Sequence, residues 1–102
     1  MIKALLETHT WPMEKSIDVG QAFVKSVQDL PPYIKMIGPF ISFGGDGVKA
    51  CTIHDVEKGH EEEGFLFISK MLNEFSNIGG QKFTLEPVLT GADALPLVGL
   101  SL

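Results

Sequence analysis

Apolar and polar residues alternate with a period of two over Ile2 to His9. This predicts a first strand with Ile2, Ala4, Leu6 and Thr8 on one face and Lys3, Leu5, Glu7 and His9 on the other. The first set is the more apolar and is expected to face the core. Thr10-Trp11-Pro12 breaks the strand, because proline restricts its predecessor to extended conformations and fits the first turn of a helix. From Met13 to Leu30 the period lengthens. Met13, Ile17, Gly20, Val24 and Val27 recur at three- and four-residue spacing, with Phe23 and Leu30 flanking them, and Lys15, Asp18, Gln21, Lys25 and Gln28 fall mostly elsewhere. The pattern predicts an amphipathic helix with that stripe on the core, ended by Pro31-Pro32.

The stretch from Ile34 to Glu57 organises the rest: two runs of β-type residues folded back on Gly44-Gly45-Asp46-Gly47. Glycine supplies the positive φ angles of a tight connection and Asp tolerates them, so a β-hairpin is predicted. In simple alternation the entering strand carries Ile34, Met36 and Phe40 on one side and Ile37, Ile41 and Phe43 on the other, apolar on both faces.

A second helix is predicted to start after Gly59, with Glu61, Glu62 and Glu63 in its first turn, where the helix dipole favours negative charge. Its stripe is Gly64, Phe65, Ile68, Met71, Leu72 and Phe75, whereas Leu66 and Phe67 lie off it and suggest a contact outside the monomer. Gly79-Gly80 closes this helix. Lys82 to Leu89 makes the last strand, and Pro87 within it fits a sheet edge. Two segments result, a domain over residues 1–90 and a nearly uncharged apolar tail over 91–102 expected to lie on its own or a partner subunit.

At 102 residues the chain is one domain, and its 44% hydrophobic content leaves apolar surface to spare for an interface. A net charge of −5 argues against a nucleic-acid phosphate footprint. The single cysteine, Cys51, excludes an internal disulfide and is expected to be a small buried hydrophobe. No apolar run reaches the length of a membrane span and no signal-peptide pattern opens the chain, so a cytoplasmic protein without a membrane partner is expected.

The order βαββαβ is the ferredoxin-like arrangement of the α+β class: a four-stranded antiparallel sheet with two helices on one face. Hairpin strands apolar on both faces imply that a second sheet covers the bare side. In this the chain, over about Ile2 to Leu89, resembles the dimeric α/β-barrel superfamily, which includes small cofactor-independent monooxygenases, muconolactone isomerase-like enzymes and stress-responsive barrel proteins. The resemblance implies a homodimer or higher oligomer and no cofactor, and it carries over no catalytic residue. A copper-chaperone pattern needs paired cysteines, an RNA-recognition pattern needs basic and aromatic residues on the third strand, and an acylphosphatase pattern needs an arginine, which this sequence lacks.

The candidate catalytic residues are His9 and His54, since imidazole titrates near neutral pH; Trp11, Tyr33 and Glu7 are candidate ligand-binding residues. Glu7 and His9 share a strand face that could look into the space between two sheets. Topology places His9 with Trp11 near the glycine-rich turn and His54 near Tyr33. The two histidines are then nearly 20 Å apart, too far to share a metal. His54, Asp55 and His60 form no expected metal site, because spacing alone does not make ligands converge. The leading expectation is a homodimeric barrel binding a small apolar or aromatic molecule between sheet and helices. The alternatives are a cofactor-independent monooxygenase or isomerase and a structural oligomerisation module. Either of the first two requires a pocket of at least about 300 Å³, and the third a filled interior.

Overall fold

The computed structural model describes residues 4–101, so Ile2 and Lys3 of the expected first strand and Leu102 of the tail lie outside the described residues. Strand β1 is Ala4–Trp11, a turn of 3-10 helix at Met13–Lys15 leads into helix α1, Ser16–Val27, and the hairpin is β2, Ile34–Gly44, with β3, Gly47–Val56. Helix α2, Glu61–Leu72, runs on into a 3-10 turn at Asn73–Phe75, and β4 is Lys82–Val88. The four strands form one antiparallel sheet in the order β2-β3-β1-β4, with β4 at an edge, where Pro87 interrupts no inner ladder.

The turn is as tight as its glycines allow. Gly44 pairs with Gly47, leaving Gly45 and Asp46 as the connection. Gly47 has φ +119°, and a Cβ there would stand 2.5 Å from the Trp11 carbonyl oxygen. Only glycine lets the hairpin tip close onto the end of β1.

The faces of three elements differ from the expectation. On β1 the buried set is Leu5, Glu7, His9 and Trp11, while Ala4, Leu6 and Thr8 lie half-buried on the opposite face. The polar members Glu7 and His9 are tolerated inside because each is hydrogen-bonded, to His54 and to Gln81 respectively. On β2, Gly38 and Pro39 together oppose the single residue Thr52, between the pairs Ile37↔Ile53 and Phe40↔Cys51. This bulge reverses the alternation, so Ile34, Met36, Ile41 and Phe43 share the helix-covered face and Ile37 and Phe40 the other. On α1 the inward residues are Val19, Ala22, Phe23 and, past its end, Leu30. The expected stripe points outward, with Ile17 75% and Val24 58% exposed. The helix carries two apolar stripes, and the one holding the bulky Phe23 meets the sheet.

Helix α2 matches its expected stripe at Gly64, Ile68, Met71 and Leu72, with Phe75 just beyond, while Phe65 is exposed. Gly64 lets it approach β3: a Cβ there would lie 2.8 Å from Val56 Cγ1. The expected outliers divide, Leu66 being exposed and Phe67 partly buried against the core.

Both helices lie on the face of Leu5, Glu7, His9, Ala50, Thr52 and His54. On the other face Leu6, Thr8 and half-buried Cys51 adjoin Ile37, Ile53 and Phe40, the last 65% exposed. Cys51 is thus on the face away from the helices, not in the core. Past β4, Thr90 caps a short helix, α3 (Gly91–Ala94), by accepting a hydrogen bond from the Asp93 amide at 3.1 Å. The 3-10 turn that follows, Leu95–Val98, leaves Leu97 76% exposed, with Val98 and Leu100 also exposed. The radius of gyration, 15.1 Å, exceeds the ~13 Å of a compact chain this long, consistent with a thin two-layer body of 47 × 31 × 17 Å.

Candidate functional site

The register of the two central strands assembles the site. Glu7 lies opposite Thr52, His9 opposite Ala50, and His54 opposite Leu5, so the carboxylate falls between the imidazoles. The histidines are four residue steps apart along the strands, about 13 Å rather than the expected 20 Å. They line one cavity, not separate ends of the molecule.

That cavity, ≈ 150 Å³, lies between the sheet and the helices. Glu7, His9 and Trp11 of β1 and Ala50, Thr52 and His54 of β3 form its floor; Val19 and Phe23 of α1, with Met71 and Phe75, form its roof. The lining residues with solvent exposure are chiefly Ser16 and Gly20 of α1 and Pro39 and Ile41 of β2, so the opening lies between that helix and the strand after its bulge. The volume is below the roughly 300 Å³ typical of drug-sized pockets. It matches the space that accommodates benzene in an apolar protein core, about 150 Å³. The interior is neither filled nor roomy.

His54 is fully buried, and its Nε2 lies 2.8 Å from Glu7 Oε1. A carboxylate accepts and does not donate, so Nε2 carries the hydrogen of this contact. Nδ1 of the same ring is buried with no hydrogen-bond partner among the described residues. A buried polar atom without a partner costs about 1–3 kcal/mol, so it marks a place where a partner is needed.

His9 is differently placed. Its Nε2 is 2.9 Å from Gln81 Oε1, and its ring meets Trp11, Phe75 and Phe83 edge-on. Burial pushes its pKa below the ordinary 6.5, against smaller opposing effects of the Gln81 hydrogen bond and the Glu7 charge. A neutral, aromatic-packed His9 is a wall of the cavity. Trp11 is anchored beside it, its Nε1–H donating to Ser16 Oγ at 3.1 Å.

Of the candidates, Glu7, His9, Trp11 and His54 come together and Tyr33 does not. Its ring stacks on His60 at 4.4 Å and 8°, away from the cavity, and His60 stands 3.3 Å from Glu63. His54 and Asp55 project to opposite sheet faces, and among the described residues no three His, Cys, Asp or Glu side chains are grouped to hold a metal. Also among those residues, no helix is long and apolar enough to cross a membrane. Sequence reasoning paired Glu7 with the nearby His9 and missed Thr52, Phe75 and Gln81. Placing Glu7 beside His54 requires the β1–β3 register, which no local pattern reveals.

No family model matches the chain, and no curated protein matches its sequence. Among solved structures, a DUF3240 family protein from Shewanella baltica is similar over 89% of this chain and 96% of that one, at 9% identity. Its TM-score is 0.35, too low for the likeness to bear on fold or function.

Proposed function

We propose that this chain is a ferredoxin-like subunit of a homodimeric α/β barrel that binds a small apolar or aromatic molecule between its sheet and its helices. The cavity carries the binding part: an apolar and aromatic shell of ≈ 150 Å³ around the buried Glu7–His54 pair. The cavity has about half the 300 Å³ expected of such a pocket, which limits the ligand to about six to eight non-hydrogen atoms. The strand order β2-β3-β1-β4 supports the ferredoxin-like part, and the apolar sheet face around Phe40 and Ile53 supports dimerisation, since a second such face would cover it.

Titration with phenol tests the binding, read by fluorescence of Trp11, the single tryptophan, and by thermal shift. At a hundred times Kd, a bound ligand stabilises the native state by about 2.7 kcal/mol. Ala50→Leu, which fills the cavity from β3, should abolish both signals. Equal responses from wild type and Ala50→Leu would refute binding at this site. A monomeric mass in light scattering would refute the dimer.

The reading as an oligomerisation module is favoured by the exposed tail residues Leu97, Val98 and Leu100. Deleting residues 91–102 should lower the native mass if it holds, and an unchanged mass refutes it.

A further inference from the structure

The polar groups that line the cavity differ in whether they are engaged and in whether they can be reached. His9 is held through Nε2 by Gln81 Oε1, and Ser16 Oγ accepts from Trp11. His54 is sealed: its side chain has no accessible surface, Nδ1 included. Glu7 is the opposite case. Its Oε1 meets His54 Nε2, while Oε2 makes no hydrogen bond among the described residues and, unlike His54 Nδ1, is not sealed from solvent. The Glu7 side chain keeps 10% of its surface accessible. It stands on the helix-covered face of a central strand, so that surface opens into the cavity. Thr52 is its cross-strand partner on the same face, with Cβ atoms about 4.5–5.5 Å apart. The Thr52 hydroxyl likewise makes no hydrogen bond among the described residues and is not sealed.

We propose that Glu7 and Thr52 make the cavity specific for a small neutral molecule whose one polar group is a hydroxyl. Their role rests on the cavity being a ligand site. A carboxylate oxygen only accepts, so Glu7 Oε2 calls for a donor on the ligand. A hydroxyl hydrogen supplies it, and the hydroxyl oxygen accepts in turn from Thr52, whose own hydroxyl can donate. A methyl, halide or ether group in that place leaves Glu7 Oε2 desolvated without a partner, and a ligand carboxylate sets two acceptors against each other. A site built to hydrogen-bond a hydroxyl therefore discriminates against the analogue that lacks it. The rest of the wall selects the body of the molecule. Phe23, Met71 and Phe75 above and Trp11 below offer apolar and aromatic contact within ≈ 150 Å³, which fits one ring or a short branched chain.

Phenol and toluene are the probes, alike in size and differing by a hydroxyl against a methyl group. Ligand-observed NMR titration of the full chain reads both dissociation constants. The wild type should bind phenol at least about 10-fold more tightly than toluene, as a hydrogen bond to a charged group allows. Thr52→Val keeps the shape of the side chain and loses its hydroxyl. It should weaken phenol by about 3- to 10-fold and leave toluene unchanged. Glu7→Leu/His54→Leu removes the buried pair as a unit and should reverse the preference, so that toluene binds at least as tightly as phenol. A wild type that binds the two alike, or a double variant that still prefers phenol, overturns the role of Glu7 and leaves the cavity standing as a ligand site. Unchanged phenol binding in Thr52→Val overturns the part given to Thr52. No binding of either probe by wild type, with Ala50→Leu giving the same traces, overturns the cavity and its specificity together.

Discussion

Replacing Glu7 by leucine keeps the volume of the side chain and removes the partner of a fully buried imidazole. His54 would then have both ring nitrogens inside the protein without a hydrogen bond, because Nδ1 already has no partner among the described residues. Each orphaned buried group costs about 1–3 kcal/mol, and breaking a buried pair by removing one partner costs about 3–5 kcal/mol. A loss of about 3 kcal/mol is expected. With a urea slope of about 1.5 kcal/mol/M, typical of small proteins, the unfolding midpoint drops by about 2 M. The double variant Glu7→Leu/His54→Leu removes the charge and the orphan together and should return to within about 1 kcal/mol of wild type, or exceed it. The cycle is measured by urea unfolding followed by circular dichroism. A midpoint shift below about 0.5 M for Glu7→Leu, or a double variant equal to the sum of the singles, refutes the coupling on which the site is built.

His9 supplies a pH dependence. Its native pKa lies below 6.5, so the unfolded chain takes up the proton first on acidification. Its contribution to stability is full above about pH 6.5 and falls as pH drops toward and through the native value. The urea midpoint followed from pH 8 to 5 should decline less in His9→Gln than in wild type, and parallel declines refute the assignment. Gly64→Ala should destabilise by about 1–3 kcal/mol, because Val56 is β-branched and cannot yield to a Cβ 2.8 Å away. Combining it with Val56→Ala should show favourable coupling in thermal unfolding, and strict additivity would refute the clash. Gly20→Ala, in a helix interior with nothing within 4 Å of the new Cβ, should stabilise by about 0.5–1 kcal/mol, and a lowered Tm would contradict that.

The order of elements was legible because each is announced locally: period two in the strands, glycines at the hairpin, three glutamates opening α2 at Glu61, and Pro87 marking an edge. The faces were less legible, for reasons that differ by element. On β1 a rule that sends the more apolar set inward chose Leu6 and Thr8, because the partners that make burial of Glu7 and His9 acceptable, His54 and Gln81, come from distant parts of the chain. On β2 strict alternation fails at Gly38 and Pro39, where one extra residue turns Phe40 outward and Ile41 inward. On α1 two apolar stripes compete, and periodicity cannot say which one meets the sheet. The residues of the site were recognised singly as polar groups in apolar strands. Their assembly depended on the β1–β3 register, which is long-range information.

The sheet distributes its polarity against the preference of an isolated monomer. Its covered face holds Glu7, His9, Thr52 and His54, while its other face presents Ile37, Phe40 and Ile53 to solvent. Each half of this arrangement carries a cost: buried ionisable groups must be desolvated, and exposed aliphatic and aromatic area forgoes about 25 cal/mol per Å². Neither cost is needed to form the sheet, since apolar residues at positions 7 and 54 would pair across the strands as well. If the proposed dimer and ligand form, each cost is reduced by something outside the monomer. On the proposed reading, a second subunit laid on the face of Phe40 would remove the exposed apolar area, and a ligand would occupy the cavity that Glu7, His9, Thr52 and His54 line. The two reliefs act on opposite sides of one layer of strands. The proposed ligand binding and dimerisation would therefore require no shared side chains, and a variant that abolishes one, such as Ala50→Leu in the cavity, should leave the other intact.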